Sequence, residues 1–345
     1  MKNKNIFSKL SAELLKKIKK TAQPSFIHPM LATLTKKYFS DKNWLYEHKF
    51  DGERCLVFKK NGKVTLLSRN HKKMNDIYPE LVAAFEKQKA DNFIIDGEII
   101  SLDKKGVSNF EMLQGRMNLR QGSKKIANQK KIPIIYCVFD LMFIDGYLIT
   151  KLPLYARKDI LKNLLDYNKL IVYTPHKIGD GIPFFKKACK LHWEGLIAKR
   201  IDSEYVSVRS HDWLKFKCIM QQELVIGGYT NPKNSRAYFG ALLVGYYEKR
   251  KLKYAGKVGT GYTESILAML GKKLQRLEIQ RCPFADYDEK IKNVHWVRPV
   301  LVAEFHFAEW TNAGRLRVGR YKGLRDDKDA KDVVKETPKA IGPEK

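Results

Sequence analysis

Cysteine is scarce and scattered in this chain. Its five cysteines, Cys55, Cys137, Cys189, Cys218 and Cys282, form no C-x-x-C pair, so neither a disulfide framework nor a cysteine-based zinc site is indicated. No run of eighteen apolar residues occurs, which argues against a membrane-spanning helix, and there is no internal repeat. Acidic residues are the other shortage, 37 against 66 basic ones, for a net charge of +29. That excess excludes few classes but fits a polyanionic partner, because lysine and arginine neutralise phosphates and release counterions. Lysine-rich cytoplasmic proteins also show such a balance, so charge alone does not name the partner. A reducing cytoplasm or bacterial nucleoid fits these features best. With 345 residues there is room for two modest domains.

Hydrophobic periodicity organises the chain. Residues 7–20 place Leu10, Leu14, Leu15 and Ile18 at helical spacing among lysines, and an amphipathic helix docked on the body is expected. Leu56 to Asn70 reads as a hairpin around Asn61-Gly62. Pro79–Lys89, Asn109–Asn118, Phe184–Leu191 and Thr263–Arg276 read as helices. Phe93–Ile100 is an apolar strand broken by Asp96 and Glu98, and Ile134–Met142 is a core strand carrying Phe139 and Asp140 before an Asp145-Gly146 turn. After Gln221 short strands with glycine- and lysine-rich turns take over, which suits a small barrel of the oligonucleotide-binding type. The boundary is expected near residue 220: an extension at 1–25, a first domain at 26–220, a barrel at 221–328 and a loose basic tail at 329–345.

The chemistry centres on Tyr46–Arg54, Y-E-H-K-F-D-G-E-R. Lys49 is expected at a strand end beside the Asp51-Gly52 turn. A lysine amine is nucleophilic only when neutral, and its carboxylate neighbours alone would raise its pKa. A reactive Lys49 therefore needs further cations or a metal, and otherwise the stretch is a charged surface hairpin. Later stretches offer candidates. Lys215 and Lys217 alternate with Leu214 and Phe216, which puts both ammoniums on one strand face. Glu194 and Lys199 are five residues apart and would not share a face of a regular strand. Arg54, Arg69, Glu98 and Phe139 complete a set suited to nucleotidyl transfer: nucleophile, stacking surface, metal-placing acids and phosphate-binding cations.

In order, E-H-K-F-D-G-E-R, S-R-N (68–70), D-G-E-I (96–99), F-D-L-M-F-I-D-G (139–146), E-G-L-I-A-K (194–199), W-L-K-F-K (213–217) and G-L-R-D-D-K (323–328) resemble the ATP-dependent polynucleotide ligases, and most of all the ligase domain of bacterial ligase D. The resemblance covers roughly residues 26–328. It implies an α+β fold: a nucleotidyltransferase (adenylation) domain of antiparallel sheets with helices, followed by an oligonucleotide-binding β-barrel. It implies Lys49 as the residue that carries AMP, Glu47 as an adenine-side contact, and Phe139 as the ring stacked on adenine. Arg54 and Arg69 would meet ribose and then the 5′-phosphate of a nick. Glu98 would serve ribose and metal, Glu194 the metal, and Lys199, Lys215 and Lys217 the phosphates. Arg325 and Lys328 would face the ATP triphosphate. The cofactors implied are ATP with Mg²⁺ or Mn²⁺, and the substrate nicked or broken duplex DNA. The same resemblance implies a stand-alone monomer, with a Ku-like end-binding protein as a candidate partner. Asp202-Ser203-Glu204-Tyr205 and Leu316-Arg317-Val318-Gly319 depart from the usual D-S-P-Y and L-R-H-P. An RNA ligase or capping guanylyltransferase would share the core set, and a non-catalytic DNA-bridging protein would not need Glu98 and Glu194.

Overall fold

The computed structural model describes residues 6–117, 132–218, 220–232, 237–311 and 313–336. The chain divides into two compact units with the boundary after Cys218. Two sheets build the first unit. The larger, seven-stranded sheet contains β1 (Lys19–Lys20), β4 (Glu53–Lys60), β5 (Lys63–Ser68), β6 (Phe93–Ile100), β7 (Ile135–Ile144), β8 (Tyr147–Leu148) and β9 (Ile171–Tyr173). Its order is β1-β8-β7-β6-β4-β5, with β9 parallel to β7. The five-stranded sheet contains β2 (Leu31–Leu34), β3 (Trp44–Lys49), β10 (His176–Ile178), β11 (Gly195–Arg200) and β12 (Arg209–Lys217), in the order β10-β3-β11-β12-β2.

The β4–β5 hairpin turns at Asn61 and Gly62, with φ of 49° and 78°. A two-residue turn that follows the strand twist needs this left-handed pair, and Asn-Gly supplies it. Helices α2 (Pro79–Glu86), α3 (Phe110–Met117) and α4 (Leu154–Leu164) contribute to the apolar core on one face of the larger sheet, where Val57, Tyr78, Leu81, Phe85, Phe110 and Leu161 are buried together. The opposite face shares a second cluster with the smaller sheet, in which Leu56, Ile94 and Phe139 pack with Trp213. Behind the smaller sheet, α5 (Gly181–Lys190) packs Ala188 against Tyr46, Leu196, Leu214 and Phe216.

Three sequence expectations need correction. The helix expected over 7–20 is one turn, α1 (Ala12–Leu15), and the chain then pairs as β1 with β8. So short a helix is marginal alone; Leu14 packs on the core from it, and Phe7, Leu10 and Ile18 do so from outside it. Lys49 ends β3, the strand end expected for it, and the alternative of a charged hairpin fails because β3 and β4 lie in different sheets. Residues 50–52 carry the chain between them. A Cβ on Gly52 would lie 2.3 Å from the carbonyl oxygen of Ile99, and Asp51 accepts the Phe110 N–H at 3.3 Å, tying the crossing to α3. Cys189 and Cys218 form a disulfide that joins α5 to the end of β12. Their separation of 29 residues carries no sequence signal. Finally, residues 329–336 are not a loose tail: Ala330 and Val333 enter the core of the second unit. The remainder of the expected tail lies outside the described residues.

The second unit is a six-stranded sheet. It contains β13 (Met220–Thr230), β14 (Leu242–Glu248), β15 (Lys251–Val258), β16 (Glu278–Ile279), β17 (Val294–Phe307) and β20 (Arg320–Leu324), while β18 (Glu309–Trp310) and β19 (Leu316–Arg317) form a separate ribbon. Helix α6 (Glu264–Gln275) adds Leu267, Leu270 and Leu274 to its core. The Thr263 hydroxyl accepts the Ile266 N–H at 3.3 Å and caps the helix. The fold is α+β, antiparallel apart from the β9–β7 and β12–β2 pairings.

Candidate active site

Strand register assembles the site. On the smaller sheet Lys49 is opposite Gly195 and Gly195 opposite Lys217, so these three share a row. The next row on that face is His176, Glu47, Ile197 and Lys215. Leu45, Lys199 and Trp213 form the third. Because side chains alternate, Tyr46, Leu196, Leu214 and Phe216 turn to the far side, where they are buried. Gly195 stands between Lys49 and Lys217. Its φ is +149°, and an added Cβ would meet the Phe216 carbonyl oxygen at 1.9 Å, so no other residue fits there.

Lys49 is ion-paired with Glu194, with 18% of the lysine side chain exposed and 4% of the glutamate. Burial raises the Glu194 pKa; Lys49 and Lys217 oppose that rise and Asp51 adds to it. The Glu194 carbonyl accepts the Cys218 N–H at 3.0 Å, which fixes the acid to the end of β12. His48 points to the other face, stacked on Trp193 at 3.8 Å. Burial, helped by Lys49, pushes its pKa down to about 3, so it is neutral near pH 7.

Glu47 is buried between Lys158 of α4 and Lys199, the latter at 2.6 Å. Burial raises its pKa, but the two lysines more than offset this and hold it below the usual range. Lys199, a candidate phosphate-binding lysine, lies over the rings of Phe139 and Trp213, 4.4 and 4.0 Å from their centroids, and burial lowers its pKa despite Glu47. Arg54 forks onto buried Asp96 with two contacts of 2.5 Å and lies 4.7 Å over Phe139. The Tyr205 hydroxyl donates to the same Asp96 at 2.6 Å, so Asp96 is a structural anchor and Glu98, opposite Arg54 in register, is the half-buried acid of that strand. Arg69 directly follows β5 and is also half-buried. Thr174 Oγ1, His176 Nδ1 and Trp213 Nε1 are buried without a hydrogen-bond partner among the described residues. Such atoms require explanation, and a polar heterocycle is the kind of ligand that would satisfy them.

In the second unit Arg325 is forked to Asp327 at 2.9 and 3.0 Å and reaches Glu304 at 2.8 Å, while Lys328 pairs with Glu223 at 3.0 Å. Sequence reasoning missed Lys158, Trp213 and Tyr205, and it marked Asp96 only as one of two acids that break β6. Alternation with Lys215 would have placed Trp213; Lys158 had no local signal.

The family model of the ATP dependent DNA ligase domain matches residues 29–217, and that of the ATP dependent DNA ligase C terminal region matches residues 235–328. The chain belongs to the ATP-dependent DNA ligases. It is 36% identical over 326 residues to the multifunctional non-homologous end joining protein LigD of Pseudomonas aeruginosa, an alignment covering 92% of this chain and 38% of that protein. The SPbeta prophage-derived DNA ligase-like protein LigB of Bacillus subtilis is 34% identical over 207 residues, 59% of this chain and 72% of that one. A solved mycobacterial DNA ligase D complexed with ATP and MES matches with a TM-score of 0.64 at 32% identity, covering 90% of this chain and 98% of that one. The chain spans about two fifths of the length of the LigD relatives, 38% to 41%.

The chain offers no cluster of three or more His, Cys, Asp or Glu ligands among the described residues. A magnesium ion does not need one, since it keeps waters and takes one or two carboxylates together with substrate phosphates. Buried Glu194 beside the amine and half-buried Glu98 fit that kind of donor set.

Proposed function

We propose that this chain seals 5′-phosphate/3′-hydroxyl nicks in duplex DNA with ATP, through an AMP carried on Lys49. The observation that carries the reading is the row Lys49–Gly195–Lys217, in which a partly exposed amine, paired with a buried acid, lies across a side-chain-free gap from a second cation. The neutral Lys49 Nζ attacks the α-phosphorus of ATP, an N–P bond forms, and pyrophosphate leaves with the electrons of the broken P–O bond. A 5′-phosphate oxygen of the nick then takes the AMP and the lysine amine departs. The 3′-hydroxyl attacks that 5′-phosphorus and expels AMP.

In this reading Phe139 stacks on the base and Glu47 faces its edge. Arg54 and Arg69 meet the ribose and then the nick phosphate, and Lys215 and Lys217 hold the phosphates. Arg325 and Lys328 meet the triphosphate. A divalent cation, Mg²⁺ or Mn²⁺, supplies charge neutralisation at the phosphates and, near the amine, favours its neutral form; Glu194 and Glu98 would hold it. The charge of +29 supports binding to duplex DNA in a bacterial cytoplasm or nucleoid. The names of the LigD relatives support a place in end joining, where a Ku-like protein would present the ends to a monomeric ligase.

Incubation with α-labelled ATP and Mg²⁺ is expected to give an SDS-stable, acid-labile adduct that a chase with singly nicked DNA discharges. Lys49→Ala is expected to form none while still binding DNA. Full labelling of Lys49→Ala would refute the assignment, and discharge only by a nicked RNA duplex would redirect it to RNA.

A further inference from the structure

Lys158 is a buried cation of the first unit's site, and no part of the reaction above uses it. It projects from α4, which belongs to neither sheet. Its ammonium is ion-paired with Glu47, and both side chains are 2% exposed. The same nitrogen donates to the carbonyl oxygens of Phe139 and Thr174, each at 3.4 Å, and Tyr173 covers it with its ring centroid at 4.8 Å. An ammonium has three donors. Carboxylate and two carbonyls account for all of them, so Lys158 has none left for a ligand.

What it holds is more informative. Glu47 is an acceptor at one edge of the site, and Phe139 supplies the aromatic face beside it; Lys199 Nζ bridges them, 2.6 Å from the carboxylate and 4.4 Å from the ring centroid. Lys158 grips the carboxylate of the first and the main chain of the second. Its neighbour Arg157 is buried on Asp140, the residue after Phe139, with contacts of 2.8 and 3.0 Å, so α4 fixes two consecutive residues of β7. An acceptor held rigidly beside a stacking ring favours a purine that presents an amino group there, and opposes one that presents a 6-oxo group. If Glu47 could swing aside, the ammoniums it now covers would become donors for that same oxo group.

We propose that Lys158 is a positioning residue for nucleotide selection: by locking Glu47 against Phe139 it makes the site choose a 6-amino over a 6-oxo purine nucleotide. This rests on the lysine-adenylation reading. The test uses the full chain and α-labelled ATP and GTP, with initial rates of adduct formation over a range of nucleotide concentrations. Lys158→Met is expected to lower kcat/KM for ATP chiefly through KM, and to cut the ATP:GTP ratio by about tenfold or more. Glu47→Gln is expected to cut the ratio similarly. The double variant Glu47→Gln/Lys158→Met, which leaves Lys199 as the one cation beside the new amide where Glu47→Gln alone leaves two, is expected to match Glu47→Gln within about twofold, because the lysine acts through the carboxylate.

A folded Lys158→Met with an unchanged ratio, or with equal losses for both nucleotides, overturns the proposal. So does a double variant whose ratio falls a further tenfold or so below that of Glu47→Gln, and this comparison stands even where Lys158→Met fails to fold. If the wild-type chain forms no adduct with either nucleotide, the adenylation reading itself fails and takes this one with it. An adduct in every variant with an unaltered ratio leaves adenylation standing and removes only the role of Lys158.

Discussion

Lys49 and Glu194 form an ion pair across the ends of their segments, the acid almost wholly buried and the amine partly open. An ammonium held in this way cannot attack phosphorus, so in the reaction proposed above nucleotide and cation would have to draw Glu194 away from Lys49 first. Glu194→Gln is expected to slow adduct formation by roughly 100-fold at saturating Mg²⁺, measured by label transfer to the protein. The pH profile carries a second signature. Burial raises the Glu194 pKa, so in the cation-free chain acidification protonates it earlier than an ordinary carboxylate, and under the proposed role it would then no longer take up a cation. That acid limb should be absent from Glu194→Gln; a variant with the wild-type rate and profile would remove Glu194 from the cation site.

Gly195 gives the site its gap. In Gly195→Ala the new methyl would meet the Phe216 carbonyl oxygen at 1.9 Å with φ at +149°, and both are backbone conflicts that no rotamer relieves. The expected cost is roughly 2–4 kcal/mol of stability, read as a lower urea midpoint, with adduct formation lost even at temperatures where the variant remains folded. An alanine variant that labels normally would mean that the Lys49–Lys217 spacing is unimportant.

Local residue chemistry made some of this legible beforehand. Asn61-Gly62 specified its turn, Thr263 capped its helix, and the alternation in Leu214–Lys217 put both lysines on the face that carries Lys49. What sequence could not deliver were relations set by tertiary packing. Asp51-Gly52 looks like a hairpin turn because the code for a tight reversal is local, whereas the passage from one sheet to another depends on the approach of Gly52 to Ile99. The destination of Lys199 depends on the rings of Phe139 and Trp213, and that of Lys158 on where α4 docks. The Cys189–Cys218 bridge likewise joins α5 to a strand end that only the fold brings near.

Asp96 tests whether the arginine of the site is held by a structural anchor. It accepts from Arg54 and from Tyr205, and the Tyr205 hydroxyl also accepts the Met30 N–H at 3.0 Å. Asp96→Asn leaves Arg54 without its counter-charge, and breaking a largely buried pair from one side costs roughly 3 kcal/mol. Tyr205→Phe removes one buried hydrogen bond, about 1 kcal/mol. Because both act on one carboxylate, the double variant should lose less than the sum of the two, as measured by urea unfolding. Strict additivity would show that Tyr205 does not support Asp96.

Asp327 gives the second unit an acid-sensitive component. Burial raises its pKa, but Arg325 and then Lys328 pull it down to about 2. A folded-state pKa below the unfolded value means that the stabilisation is complete above about pH 4 and is lost as pH falls toward 2, roughly 2 kcal/mol in all. Asp327→Asn is expected to lose this amount at neutral pH and to show a correspondingly flatter decline in stability on acidification. The same variant leaves Arg325 with Glu304 at 2.8 Å as its nearest remaining acid. If Asp327→Asn shows the same steep acid loss as the wild type, the titrating group is elsewhere in the cluster and Asp327 is not what holds Arg325 in place.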